Sequence, residues 1–473
     1  MNFCSQTFVI FLATVLLAFY AAPPRARKLL ILAASYVFYG FWSIPFIAVI
    51  LASTSIDYFL SKAISTTTDQ LKRKAMLATG ICVNLAILGY FKYADFLWSN
   101  ALSLAQMMHM PVSVTHLNVL LPLGISFYTF EAISYLVDVY RGLAPAPSFL
   151  QYHFYIMFFP HLVSGPIVRF QELSSQIENN IALPNWNRIV RGVELILLGF
   201  IFKCLFADPV SAWADPVFKN PAAASAVASY IGVLAFTAQI YFDFLGYTHI
   251  ARGVSLLFNI ELPLNFNHPY NARNISEFWQ RWHITLSRWI RDYLYIPIGG
   301  SRRGAVLTFW NLMITMLIAG AWHGAGWTFV AWGAYHGALL AIYHTFGSVR
   351  DKFKIRVPSA IAVPVTFVCA SLGWVLFRAH SISDAGIVIG KLSKVPELCK
   401  EIASSCALAD YTSLLRIVVL IAICTSGPLA VHVYEKLYVP LPRWVKVQFA
   451  STALLLCWIL SSNALKPFIY FQF

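Results

Sequence analysis

Hydrophobic residues in this chain gather into long stretches, separated by short polar or basic links. The stretches lie near Phe8–Ala22, Leu29–Leu60, Met76–Trp98, Val119–Val139, Phe149–Pro160, Ile189–Phe206, Val227–Ile250, Val306–Phe346, Ile361–Phe377, Leu415–Val431 and Val447–Leu460. A helical membrane crossing takes about 20 apolar residues, so 473 residues leave room for ten or more helices. The pattern predicts an all-α, polytopic integral membrane protein, with residues 1–473 forming a single membrane domain. Leu29–Leu60 is broken at Pro45 and has basic links on both sides, which predicts two helices joined by a turn near Ser43–Pro45. The region from Phe149 to Arg191 offers one apolar run bracketed by arginines and reads as a re-entrant segment. No internal repeat is evident, which weighs against an inverted-repeat transporter.

Composition agrees with this reading: 59% of residues are hydrophobic and 11% charged, against about 25% charged in soluble domains. Arg25, Arg27 and Lys28 follow the first apolar stretch rather than preceding it, so that stretch reads as a retained helix with its start outside. The links Arg25–Lys28, Lys72–Lys74, Arg350–Arg356 and Arg443–Lys446 are then cytoplasmic, and Ser99–Asn118 and His380–Asp410 extracytoplasmic. A net charge of +14 raises nucleic acid as a partner. The basic residues fall between hydrophobic stretches, however, and anionic membrane lipids are the partner this placement predicts.

Candidate chemistry concentrates in two places. The first is a run of 46 residues, Gly304–Val349, without Asp, Glu, Lys or Arg but with His323, His336 and His344. Ionisable groups inside a membrane are functional suspects by default. His323 lies in AWHGAGW, where Gly320, Gly324 and Gly326 suggest low bulk around an imidazole that titrates near neutral pH. The second is the link Arg252–Gly304, with seven arginines and no lysine, a bias that favours bidentate anion recognition. Within it Asn274 and Glu277 predict a capped helix running to about Leu294, with Ile275, Phe278, Trp279, Trp282, Leu286, Trp289, Ile290 and Tyr293 on one face. Such a helix would lie along the membrane interface. Its Glu277 and Arg281 form an i,i+4 pair, and His283 stands at the edge of the apolar face.

Taken singly, His283 and His323 are each more readily hydrogen-bonded structural histidines than catalytic ones. Glu131, Glu194 and Asp243 lie inside apolar stretches, where a proton relay and helix-to-helix hydrogen bonding are the two roles open to them. Six of the eight cysteines lie in or just beside apolar stretches, and no metal-ligand spacing occurs. Cys399 and Cys406 share a loop assigned to an oxidising compartment, where a disulfide could form.

FWQRWHITLSRWIRDYLYIPIGG (Phe278–Gly300) and AWHGAGWTFVAWGAYHG (Ala321–Gly337) closely resemble the bacterial branch of the membrane-bound O-acyltransferases. PLGISFYTFEAISYLVDVYRG, FFPHLVSGPIVRFQEL, YFDFLGYTHIARG, LFRAHSISDA and PFIYFQF resemble the subgroup that O-acetylates exported polysaccharides, as in alginate acetylation. The resemblance implies about eleven tilted helices, with re-entrant and interfacial segments, around a tunnel that joins a cytoplasmic donor side to an extracytoplasmic acceptor side. It implies His323 as catalytic residue and His283 as second polar residue of the site. It further implies a bacterial inner-membrane location, acetyl-CoA as donor substrate with no permanently bound cofactor, an exported polysaccharide as acceptor, and a periplasmic acetyltransfer partner. Arg288, Arg291, Arg302 and Arg303 are the candidates for the donor's phosphates. A polysaccharide or lipid-linked sugar flippase, a scaffold subunit of an exporter, and D-alanyl or long-chain acyl transfer within the family are the alternatives.

Overall fold

The structure is a computed structural model that describes residues 1, 3–110, 113, 117–163, 165–178, 181–353, 357–404, 408–438, 440–442, 444–446, 448, 451–452 and 468–469. Its described elements are helices, and five of them are long and apolar enough to cross a membrane: Pro45–Thr66, Gln70–Met107, Ala226–Leu257, Ala305–His323 and Ser359–Arg378. Two compact units can be distinguished, residues 1–196 with 248–263, and residues 197–247 with 264–473.

The first unit contains α1 (Gln6–Ala21), α2 (Pro24–Gly40), α3 (Pro45–Thr66), α4 (Gln70–Leu88), α5 (Ala94–Met107), α6 (Ile125–Tyr140), α7 (Phe149–Met157), α8 (Phe159–Leu162), α9 (Phe170–Ile177) and the start of α10 (Trp186–Ile201). Prolines near the starts of α2 and α3 satisfy the expectation of two helices with a turn at Ser43–Pro45, because Pro fits the first turn and cannot continue a preceding one. The expected loop from Ser99 is helical to Met107 instead: a π turn at Gly89–Tyr93 carries α4 into α5 without a break. At Phe149 the chain forms two short helices separated by Phe158, and at about 1.5 Å per residue neither can cross a bilayer.

Several polar groups in this unit are paired. Glu131 Oε1 on α6 accepts the amide of Val168 at 3.1 Å and lies 3.1 Å from His161 Nδ1 on α8. Asn84 Nδ2 on α4 donates to Asp57 on α3 at 2.7 Å. Glu194 lies 3.5 Å from Arg191 one turn earlier on α10.

The second unit contains the end of α10, α11 (Asp208–Lys219), most of α12 (Ala226–Leu257), α13 (Ile275–Arg281), α14 (Ile284–Ile290), α15 (Ala305–His323), α16 (Trp327–Lys352), α17 (Ser359–Arg378), α18 (Ile382–Ser393), α19 (Val395–Ser404), α20 (Leu408–Thr425) and α21 (Gly427–Val433). Lys203 Nζ lies 2.8 Å from Asp208 and 2.7 Å from Asp243, while Asp243 also accepts the amide of Ile469 at 2.7 Å. Two carboxylates around one ammonium offset the cost of burying Lys203 and Asp243. Glu131 and Asp243 thus each have local partners that tie elements together, as the hydrogen-bonding role requires. Cys399 is a free thiol; its expected partner, Cys406, lies outside the described residues.

Candidate active site

The uncharged histidine-bearing run folds as a helical hairpin. α15 ends at His323, the link Gly324–Gly326 turns the chain, and α16 returns from Trp327. The hairpin is closed by glycines: a Cβ on Gly320 would meet the carbonyl oxygen of Phe329 and, at 3.0 Å, the Cα of Gly333, while one on Gly337 would lie 3.0 Å from Met313 Sδ. Small residues let membrane helices approach until backbones touch. The glycines therefore correct the expectation drawn from the sequence: they make room for the partner helix and for the Phe329 ring beside Gly324, not for the imidazole.

His323 is 5% exposed. Its ring stands edge-on to Trp332 (centroids 4.9 Å, planes at 82°) and to Phe377 (5.3 Å, 73°), with Trp322 at 5.0 Å. The imidazole also forms part of the wall of a cavity of about 530 Å³, shared with Ser276, Thr315, Arg288 and Arg291. A buried imidazole fixed on three sides by aromatic rings and open to a cavity is placed to exchange a proton with a molecule bound there. His336 and His344, in the same run, do not line the cavity. His336 is fully buried, with neither ring nitrogen hydrogen-bonded, among Phe278, Trp279, Trp332 and Trp374; His344 is exposed.

The single helix expected from Asn274 to Leu294 is interrupted. Its start is as expected: Asn274 Oδ1 accepts the amide of Glu277 at 2.9 Å, and Arg281 pairs with Glu277 at 2.6 Å. At His283 the backbone turns left-handed, with φ of +40°, separating α13 from α14. The reason lies in Asn265, whose backbone carbonyl accepts the amide of Ile284 at 2.9 Å while its Oδ1 accepts the amide and hydroxyl of Thr285 at 3.3 and 3.0 Å. Amides that would have bonded four residues back are satisfied by a neighbouring segment instead. Periodicity alone carries no trace of this.

The break buries His283 completely, correcting its expected place at the edge of an interfacial helix. Its ring stands 4.7 Å from Phe244 and 6.3 Å from Trp322, the indole that also contacts His323. The two sequence-predicted histidines thus share one aromatic neighbour, but only His323 reaches the cavity wall. Of the four arginines, Arg288 and Arg291 line the cavity, Arg291 with Asp292 at 2.6 Å. Arg302 and Arg303 are exposed and are not part of its wall. Trp322, Trp332 and Asn265 were not singled out from the sequence, where an aromatic or amide in an apolar run carries no distinguishing mark. Among the described residues no cluster of three or more His, Cys, Asp or Glu could hold a metal ion.

The model of the membrane-bound O-acyltransferase family matches residues 111–382, which include His283, His323 and every cavity-lining residue named above. The chain is 36% identical to the probable alginate O-acetylase of Pseudomonas putida over 498 aligned positions, covering all of both chains. It is 36% identical to the peptidoglycan O-acetyltransferase of Helicobacter pylori over 79% of this chain and 75% of the relative. A more distant similarity, 29% identity over 54% of this chain and 68% of the relative, links it to the teichoic acid D-alanyltransferase of Bacillus subtilis. With its apolar spans and its family match, this chain is a multi-pass membrane enzyme of acyl transfer, and it belongs to the membrane-bound O-acyltransferase family.

Proposed function

We propose that the protein moves an acetyl group from a thioester donor, acetyl-CoA, for O-acetylation of an exported polysaccharide, with His323 as the general base. The observation that carries this reading is the buried His323 imidazole on the wall of a cavity large enough for the reacting ends of two substrates. The relatives named for alginate and peptidoglycan O-acetylation support acetyl as the transferred group and a polysaccharide as acceptor.

The chemistry runs in two steps. A sugar hydroxyl, or the hydroxyl of a periplasmic partner that relays the acetyl group, attacks the thioester carbonyl as His323 takes its proton, and the carbonyl π electrons move onto oxygen. The resulting oxyanion needs hydrogen-bond donors, a role open to backbone amides near the Gly324–Gly326 link. Collapse then breaks the carbon–sulfur bond, and the proton on His323 passes to the departing thiolate. His283 is the second polar residue of the site, acting through the Trp322 ring that both imidazoles touch. Arg288 and Arg291 bind the donor's phosphates, with Arg302 and Arg303 in a peripheral role.

The remaining architecture is part of the same reading. About eleven helices in one domain surround a tunnel in the bacterial inner membrane, the donor entering from the cytoplasm and the acceptor from the other side. Membrane lipids surround the chain, no cofactor is permanently bound, and nucleic acid plays no part. Replacing His323 and following acetate on the exported polymer tests the assignment. A flippase would leave thioester-dependent acetyl transfer absent from purified wild-type protein.

A further inference from the structure

A second cavity, of about 260 Å³, lies in the first unit and has no part in the acyl-transfer site described above. Its polar wall comes from three separate stretches of chain: Asn185, Arg188 and Arg191 at the start of α10, Arg252 near the end of α12, and Glu261 beyond it. Gly192 and Gly253 bring the helices together, since a Cβ on Gly192 would lie 2.9 Å from the carbonyl oxygen of Gly253. The residues just before these glycines are Arg191 and Arg252, whose guanidiniums repel each other. Backbone packing therefore holds two like charges together at a partly buried position, an arrangement that favours an anion between them.

The partners present do not neutralise the cluster. Arg188 bonds the Asn259 side-chain oxygen at 2.7 Å and lies 3.6 Å from Glu261. Arg252 gives Nε to the carbonyl of Leu262 at 3.2 Å, and among the described residues no carboxylate lies within ion-pair distance of it. Arg191 lies 3.5 Å from Glu194, so the three arginines share two carboxylates and keep a net positive charge. Guanidinium forks match the oxygens of a phosphate, and the amides at the start of α10 add further favourable potential for negative charge.

We propose that this cavity binds the phosphate of an anionic ligand, with Arg252 as its principal contact. The phosphate could belong to a phospholipid headgroup or to a soluble phosphate, and the two sources are separable. The full-length protein, wild type and Arg252→Gln, would be placed in phosphatidylcholine nanodiscs with and without phosphatidylglycerol, and lipid retention measured by native mass spectrometry. In parallel, thermal stabilisation by inorganic phosphate would be measured in detergent. Selective retention of phosphatidylglycerol that weakens about tenfold or more in Arg252→Gln assigns a headgroup. Phosphate-dependent stabilisation that weakens similarly, without lipid preference, assigns a soluble phosphate. Arg252→Lys, which keeps the charge but loses the fork, should fall between. If Arg252→Gln does not fold, Arg191→Gln, whose side chain is half exposed, gives the same reading. Equal behaviour of wild type and variant toward both probes overturns the proposal.

Discussion

The imidazole of His323 meets the indole of Trp332 edge to face, their centroids 4.9 Å apart and their planes at 82°. Trp332 is fully buried on α16, so one side of the aromatic wall around His323 is supplied across the hairpin by the returning helix, with Trp322 and Phe377 completing it. Trp332→Phe should keep an edge-on ring and most of the activity. Trp332→Ala should cost about 3–5 kcal/mol of stability and leave the imidazole loosely held. Thermal unfolding in detergent together with acetyl-transfer rates checks both, and unchanged turnover in a folded Ala variant would remove Trp332 from any positioning role.

The α15–α16 hairpin depends on backbone contact at Gly320. Gly320→Val should destabilise the protein by about 1–3 kcal/mol, because its side chain meets the Phe329 carbonyl and the Gly333 backbone, neither of which can move aside as a flexible side chain would. Thermal unfolding measures this directly, and a neutral substitution would mean the hairpin is looser than described.

Arg288 and Arg291 line the cavity with His323, whereas Arg302 and Arg303 do not. Substituting the first pair by alanine should raise the donor KM about tenfold with a smaller effect on kcat, since phosphate contacts are remote from the reacting carbonyl. Substituting Arg302 and Arg303 should change the donor KM less. Initial-rate kinetics against donor concentration decides between the pairs.

Glu401 on α19 accepts the amides of Ala226 and Val227 at 3.2 and 2.9 Å, capping the start of α12. Those backbone hydrogen bonds hold its carboxyl below the ordinary value of 4.5. A depressed folded value means that the cap's contribution is fully present above pH 4.5 and is lost as the pH falls through the folded value. Glu401→Gln should therefore lower Tm at pH 7 and approach the wild type in acid. A difference that is the same at both pH values would mean that ionisation of Glu401 contributes nothing.

Part of the helical layout was legible because Pro45 and the spacing of apolar runs are local signals, whereas the turn at Gly324–Gly326 inside the apolar run Val306–Phe346 was not, its glycines being read as space around His323. His323 stood out as an ionisable group in an uncharged run, and the structure sets it on a cavity wall, but the glycines beside it serve helix packing and not the imidazole. The break at His283 was not, because it depends on Asn265 taking amides that the local pattern assigns to a continuous helix. Nor was the partnership of Lys203 with Asp208 and Asp243, since Lys203 sits in an apolar run and meets Asp243 through tertiary packing alone. The Arg188–Arg191–Arg252 cluster was hidden likewise: its members belong to stretches about sixty residues apart in sequence, brought together by two glycines. Composition drew attention to the arginine-rich link but did not distinguish the arginines that line a cavity, Arg252, Arg288 and Arg291, from Arg302 and Arg303, which line neither.

The central claim is that His323 removes the acceptor's proton. His323→Gln keeps a polar side chain of similar reach in the same aromatic setting but cannot take up a proton at neutral pH. Acetyl transfer by the purified variant, normally expressed and inserted, should fall by about 10²- to 10⁴-fold, the usual contribution of a positioned general base. Retention of most of the wild-type rate by the Gln variant would contradict the assignment of the chemistry to His323.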